Sequence, residues 1–203
     1  SVDLTLGHFG LGPVSIKDTK QFVGDGYKKL VERSLIAYGD KELTHYKEAL
    51  DVYNEVFKDC CLYKVEAYEG IPQLLDFLKE HGILATVLSN KPHQRALENV
   101  AHVFGDHTFD KVYGEREALG IRKKPAPDGV VALIEELGLE KEDCLYLGDT
   151  NTDMETGQAA QVDTVGVTWG FRPREELEAF TPKLVADSPF QVIDYIKAVN
   201  HIE

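Results

Sequence analysis

From Tyr68 onward, short apolar runs and helical periods take turns, and no other feature constrains the fold as strongly. Ile83 to Leu88 is a near-unbroken apolar stretch, Cys144 to Leu147 is mostly apolar, and a further strand reads over residues 163–167. Strands of that kind suit a parallel sheet covered on both faces. Between them lie helix-period segments: Ile71, Leu74, Leu75 and Leu78 up to Gly82; Pro92 through Phe104; Pro127 through Leu137; and residues 153–160. Pro92 suits a first helical turn, where its missing N–H costs nothing. A short strand over Phe109–Tyr113, a helix around 173–179, a strand near Leu184–Val185 and a helix over 189–199 complete the series. Strand–helix–strand repetition predicts βαβ units, and hence an α/β core with a doubly wound parallel sheet over residues 68–203.

Residues 1–67 follow a different rule. Leu4, Leu6, Phe9 and Leu11 read as a helix tail stopped by Gly12-Pro13. Ser15-Ile16-Lys17-Asp18 has the capping-box form and launches a short helix ending at Gly24-Asp25-Gly26. Leu30, Val31, Ser34 and Leu35, then Tyr46, Leu50, Tyr53 and Phe57, recur at helical spacing. No strand pattern interrupts them, so residues 1–67 are expected to form a small all-helical domain.

Composition narrows the partners. Hydrophobic residues make up 43% of the 203 and charged residues 28%, a globular balance. The formal charge of −13 disfavours nucleic acid and anionic membrane as partners, because no basic patch supports counterion release. An anionic substrate would have to be held locally, against the overall field. Cys60, Cys61 and Cys144 show no metal-ligand spacing and fit a reduced compartment. No apolar run is long enough to span a bilayer, which points to a cytoplasmic protein, monomeric or homodimeric.

Three loops that follow strands, or open helices beside them, carry the chemistry. In Gly148-Asp149-Thr150-Asn151-Thr152-Asp153, two carboxylates arrive four positions apart where a strand stops and a helix starts. Ligands bind at that rim in open α/β sheets, and carboxylates are the hard oxygen ligands Mg²⁺ accepts. The same acids could equally cap the helix. Leu88-Ser89-Asn90-Lys91-Pro92 offers a hydroxyl and an amide, suited to a phosphoryl oxygen or, again, to a helix cap. Arg122-Lys123-Lys124-Pro125-Ala126-Pro127 holds a lysine between stiff residues, either to neutralise transferring charge or as a solvated basic turn. Hydroxyl, lysine and paired acids together are what phosphoryl transfer requires.

These three segments resemble the second, third and fourth motifs of the haloacid-dehalogenase superfamily. Val112-Tyr113-Gly114, Cys144 to Asp153 and Gly166 to Arg172 are similar to its phosphoglycolate phosphatase-like branch. The resemblance spans essentially the whole chain. It implies a Rossmann-like core with an inserted helical cap, and Mg²⁺ as cofactor. It further implies that Ser89, with the backbone of Asn90, binds the phosphoryl oxygens and that Lys124 neutralises the nucleophile. Asp149 would ligate Mg²⁺, and Asp153 would hold it directly or through water. Phe22-Val23-Gly24-Asp25-Gly26 resembles the cap loop that meets substrate, where Gly24 and Gly26 permit close approach. Lys28, Lys29 or Arg33 could meet a substrate carboxylate; exposed helix charges are the competing reading. His93 could line the pocket or lie on the surface, while Trp169 and Arg172 suit packing and a surface ion pair, with a place at the pocket rim as the second reading.

The family's first motif, Asp-x-Asp-x-Thr, supplies the nucleophile and should precede the cap. It is not found in these residues, and Asp3 is no substitute, since no apolar strand precedes it. The expectation is that the nucleophile lies upstream and that these 203 residues alone are inactive. The implied activity is Mg²⁺-dependent hydrolysis of a small phosphorylated metabolite, 2-phosphoglycolate foremost, through an aspartyl-phosphate. The alternatives are a pyrophosphatase or hexose-phosphate mutase of the same family, or a non-catalytic protein that binds Mg²⁺ and phosphate.

Overall fold

A computed structural model describes residues 1–202. They form two compact units, Ser1–Val65 and the segment from Glu66 onward. No helix among the described residues is long and apolar enough to cross a membrane.

The first unit contains α1 (Val2–His8), α2 (Ile16–Phe22), α3 (Tyr27–Ala37) and α4 (Tyr46–Cys60). Its core gathers Val2 and Leu6 from α1, Leu30, Val31 and Leu35 from α3, and Ala49 and Tyr53 from α4. Val2 and Leu6, Val31 and Leu35, and Ala49 and Tyr53 are each four residues apart, the spacing that places side chains on one face, and Leu30 widens the α3 stripe. Tyr53 stacks between Tyr27 and Phe57. Polar groups inside this core are satisfied locally: the Ser34 hydroxyl donates to Leu30 O at 2.7 Å and the Thr5 hydroxyl to Ser1 O at 3.0 Å. Ser15 caps α2 by accepting the Asp18 N–H at 3.0 Å. Asp40 accepts the N–H groups of Thr44 and His45, both at 2.8 Å, fixing the approach to α4. One expectation shifts here. Leu4, which reads with Leu6 and Phe9 as an apolar helix tail, is 60% exposed, and Thr5 takes the inward position.

The second unit alternates as its sequence predicts. In order it holds α5 (Ile71–Glu80), β1 (Thr86–Pro92), α6 (His93–Phe104), β2 (Lys111–Glu115), α7 (Asp128–Leu137), β3 (Leu145–Gly148), α8 (Asn151–Ala160), β4 (Asp163–Val167), α9 (Arg174–Glu178), β5 (Leu184–Ala186) and α10 (Pro189–Asn200). All strand pairs are parallel, in the orders β1-β2 and β3-β4-β5. The fold is therefore α/β. Leu88 of β1 and Tyr146 of β3 pack on one cluster built from Val130 and Ile134 of α7 with Ala160 and Val162. A second cluster joins Leu74 and Phe77 of α5, Val165 and Val167 of β4, and Val192 and Ile196 of α10. Trp169 packs against it.

The first strand of this unit starts later than its apolar run suggests. Ile83 donates its N–H to Leu78 O at 2.9 Å, so Gly82 and Ile83 close α5 instead of opening β1. The strand continues instead into polar residues, through Ser89, Asn90 and Lys91. Its register against β2 shifts between Leu88 and Pro92, which bulges those three residues out of the ladder. Likewise the next strand covers 111–115 rather than 109–113, and α8 begins at Asn151, two residues before the expected start.

Candidate active site

Asp153 is the hub of the acid-rich loop. Thr150 caps α8 by accepting the Asp153 N–H, and the Asp153 carboxylate reaches back to the Thr150 N–H at 3.1 Å, a reciprocal capping box. Its Oδ2 also accepts the Thr150 hydroxyl at 2.7 Å and the Asp149 N–H at 3.2 Å. The other oxygen, Oδ1, accepts from Lys124 Nζ at 2.6 Å and from the Tyr146 hydroxyl at 3.2 Å. Five donors thus converge on one carboxylate whose side chain is only 7% exposed. The turn can wrap this tightly because residue 148 is glycine: a methyl there would overlap the Asp153 side chain.

Lys124 ties the three loops together. Its ammonium, 13% exposed, bonds Asp153 and lies 3.3 Å from Leu88 O in β1, just before the bulge. Its backbone is gripped by Asn90, whose Oδ1 accepts the Lys124 N–H at 2.9 Å and whose Nδ2 donates to Lys124 O at 3.0 Å. The Asn90 amide therefore fixes the lysine loop, a role that its place beside Ser89 did not reveal. Ser89 Oγ accepts the Lys91 N–H at 3.1 Å, which orients the hydroxyl within the bulge.

Asp149 stands apart from Asp153 in environment. Its Oδ2 accepts the Phe171 N–H at 2.9 Å. Burial first, and then the charge on Asp153, raise its carboxyl above the ordinary value; the Phe171 N–H and Lys124 offset this in part. For Asp153, burial works the same way, but Lys124 and the hydrogen bonds from Lys124, Thr150 and Tyr146 prevail and hold it below the ordinary value. Burial also opposes the charge on Lys124, yet Tyr146 and Asp153 more than offset it, so the lysine stays protonated. Two buried acids beside one ammonium leave an excess negative charge, which suits a divalent cation at Asp149. No group of three or more His, Cys, Asp or Glu side chains gathers among the described residues, so further oxygens would have to come from elsewhere.

Ser89, Asn90, Lys124, Asp149 and Asp153 thus meet in the second unit. Gly24, Gly26, Lys28 and Arg33 belong to the first. Gly26 precedes α3 with φ +87°, and Gly24 has φ +132°, both in the range glycine favours. Arg33 donates to Phe22 O at 3.0 Å and pairs with Asp25, so it braces that loop. Lys28 is exposed, and Lys29 pairs with Glu32 at 2.9 Å. Arg172 pairs with Glu176 at 3.1 Å, with its side chain 9% exposed. Sequence reasoning passed over Tyr146, Thr150 and Phe171. Thr150 was findable, three residues before an acid at a helix start; the other two act through contacts that spacing does not encode.

Fold and site together define an α/β protein with an acid–lysine centre at its strand ends. The family profile described as haloacid dehalogenase-like hydrolase matches residues 1–167. The chain belongs to the haloacid dehalogenase-like hydrolase family. A phosphoglycolate phosphatase of Psychrobacter arcticus is 29% identical over 204 residues, covering 97% of this chain and 86% of its own. A 5′-nucleotidase of Pseudomonas aeruginosa is 30% identical over 182 residues, covering 90% and 80%. Among solved structures, one from Lactobacillus delbrueckii subsp. bulgaricus, provisionally named a phosphoglycolate phosphatase, superposes with a TM-score of 0.86 at 26% identity. It covers 96% of this chain and 89% of its own.

Proposed function

We propose that this chain supplies the phosphoryl-binding and charge-neutralising parts of a Mg²⁺-dependent phosphatase for small phosphomonoesters, with 2-phosphoglycolate the first candidate. The observation that carries the reading is the linkage of Ser89's loop, Lys124 and the acid pair through Asn90 and Asp153. In this reading Ser89 and the neighbouring backbone N–H groups receive phosphoryl oxygens. Lys124 stays charged and steadies the attacking carboxylate and the transferring group. Asp149 is the proposed ligand of Mg²⁺, whereas Asp153, already accepting five hydrogen bonds, is proposed to position Lys124 and to reach a cation only through water. Mg²⁺ bound there would neutralise charge on the phosphoryl oxygens.

The proposed nucleophile is an aspartate of an Asp-x-Asp-x-Thr segment, not one of the acids gathered here. Its carboxylate oxygen bonds to phosphorus as the ester oxygen leaves with a proton from the segment's second aspartate, which takes a proton back from the water that then cleaves the acyl phosphate. The helical unit is proposed as the substrate-selecting cap, acting through Gly24, Gly26, Lys28 and Arg33. For Arg33 that contact would require exchange of its Asp25 partner.

The test is phosphate release, with and without Mg²⁺, by a chain that includes the nucleophile segment. 2-Phosphoglycolate, nucleoside monophosphates and a hexose phosphate would be compared, the second because one relative carries a 5′-nucleotidase name. Release from none of them would defeat the reading. Turnover by the 203 residues alone would show that the nucleophile has been misassigned.

A further inference from the structure

Arg116 leaves the end of β2 beside the bulged Ser89–Lys91 segment, and its Nε has no acceptor among the described residues. The approach is fixed at Gly114, where a methyl would overlap His93 Cα and lie 2.6 Å from Lys91 O. The Gly114 N–H donates to His93 Nδ1 at 3.1 Å. A ring nitrogen that accepts carries no proton, so the neutral imidazole bears its hydrogen on Nε2. Burial, and then the positive charge of Arg116, lower the His93 pKa and keep the ring neutral. His93 Nε2 lies 3.5 Å from Arg116 Nη2, so two donors face one another. The guanidinium stacks on the Tyr113 ring at 3.6 Å, and its Nε is buried with no partner among the described residues. Buried N–H groups are rarely left unpaired in folded proteins.

A recess of about 10 Å³ lies beside Arg116, lined also by Ser89, Asn90 and Lys124. It has room for about one oxygen-sized group. The lining includes one carboxylate, Glu115. Two of its other cations are already committed, Arg122 to Asp128 and Lys124 to Asp153, whereas Arg116 forms no ion pair among the described residues. We propose that the recess is a binding subsite for one oxygen of a small oxyanion, received by Arg116, with the adjacent His93 ring sensing its arrival. The chemistry is common to a phosphoryl group and a carboxylate, and it stands on this geometry whether or not the protein hydrolyses phosphate esters.

The experiment titrates inorganic phosphate alone, and glycolate alone, into the 203-residue chain without Mg²⁺. The His93 Nε2–H resonance and the dissociation constant are followed in the wild type, Arg116→Met and Ser89→Ala. The expected result is that at least one anion moves the His93 resonance and that Arg116→Met weakens that anion by about tenfold or more. A response to phosphate only assigns the recess to phosphoryl oxygens, and a response to glycolate only assigns it to a carboxylate. If Arg116→Met does not fold, Arg116→Lys and the wild-type resonance decide. An unmoved His93 resonance with both anions, or phosphate binding that Ser89→Ala abolishes and Arg116→Met leaves unchanged, overturns the proposal.

Discussion

Asp149 and Asp153 are both acids in one turn, but the structure gives them opposite titration behaviour, and each yields a prediction. The Asp149 carboxyl lies above its ordinary value, so its ionisation opposes folding. That penalty is fully present above the raised folded value, shrinks as pH falls below it, and is gone below the ordinary carboxyl value. Asp149→Asn is therefore expected to raise the melting temperature of the Mg²⁺-free chain at neutral pH by roughly 2–4 °C, with the gain shrinking on acidification. Melting scans in EDTA across pH would show it; a variant less stable than wild type at neutral pH contradicts the assignment. Asp153 has the reverse sign. Its contribution is present above the ordinary carboxyl value and is lost as pH falls through the lowered one. Asp153→Asn strands Lys124 in a buried site and should cost about 3–5 kcal/mol in denaturant unfolding. A loss below about 1 kcal/mol would leave the pair no more important than an exposed ion pair. The sequence displayed both acids and their spacing. It could not divide their labour, because that depends on Lys124, 29 residues away in the chain, and on the Tyr146 hydroxyl.

Between elements, the joint that matters is Asn90 to Lys124, because it holds the bulged end of β1 against the loop before α7. Two backbone groups of Lys124 depend on that one amide. Asn90→Ala leaves them short of partners and is expected to cost about 2 kcal/mol or more. Amide exchange at Lys124 should accelerate at least about tenfold, while α10 keeps its protection. Unchanged exchange at Lys124 would mean that other contacts fix the loop. The elements themselves were largely legible. Helical spacing located the core faces of α3, α4, α5 and α7, and strand–helix alternation gave the α/β class. What misled was the assumption that an apolar run and a strand coincide: Ile83 is spent on closing α5, and β1 instead recruits Ser89 to Lys91. Hydrophobicity reports burial, and burial is shared by a helix exit and a strand.

Across the whole chain, the change from helical spacing to alternation between residues 61 and 71 coincides with a change of core. Val2, Leu6, Leu35 and Tyr53 belong to one cluster and Leu74, Val165 and Val192 to another. Between them Cys61 is buried, but Tyr63 is 72% exposed, and among the described residues no backbone hydrogen bond holds residues 64–67. An exposed aromatic side chain that opens onto unsupported backbone is a ready protease site, because cleavage needs an accessible, locally pliable segment more than it needs global unfolding. Limited chymotrypsin is expected to cut first after Tyr63, giving two fragments that divide the chain near that residue. Because each side of the cut keeps a contiguous apolar cluster, both fragments should resist further digestion longer than the denatured chain. Tyr63→Ser should slow the first cut several-fold without changing the melting temperature, as expected for an exposed side chain outside the core. First cleavage within α5 or β4, with Tyr63 left intact, would show that the weakest stretch lies inside the α/β unit and not at its margin.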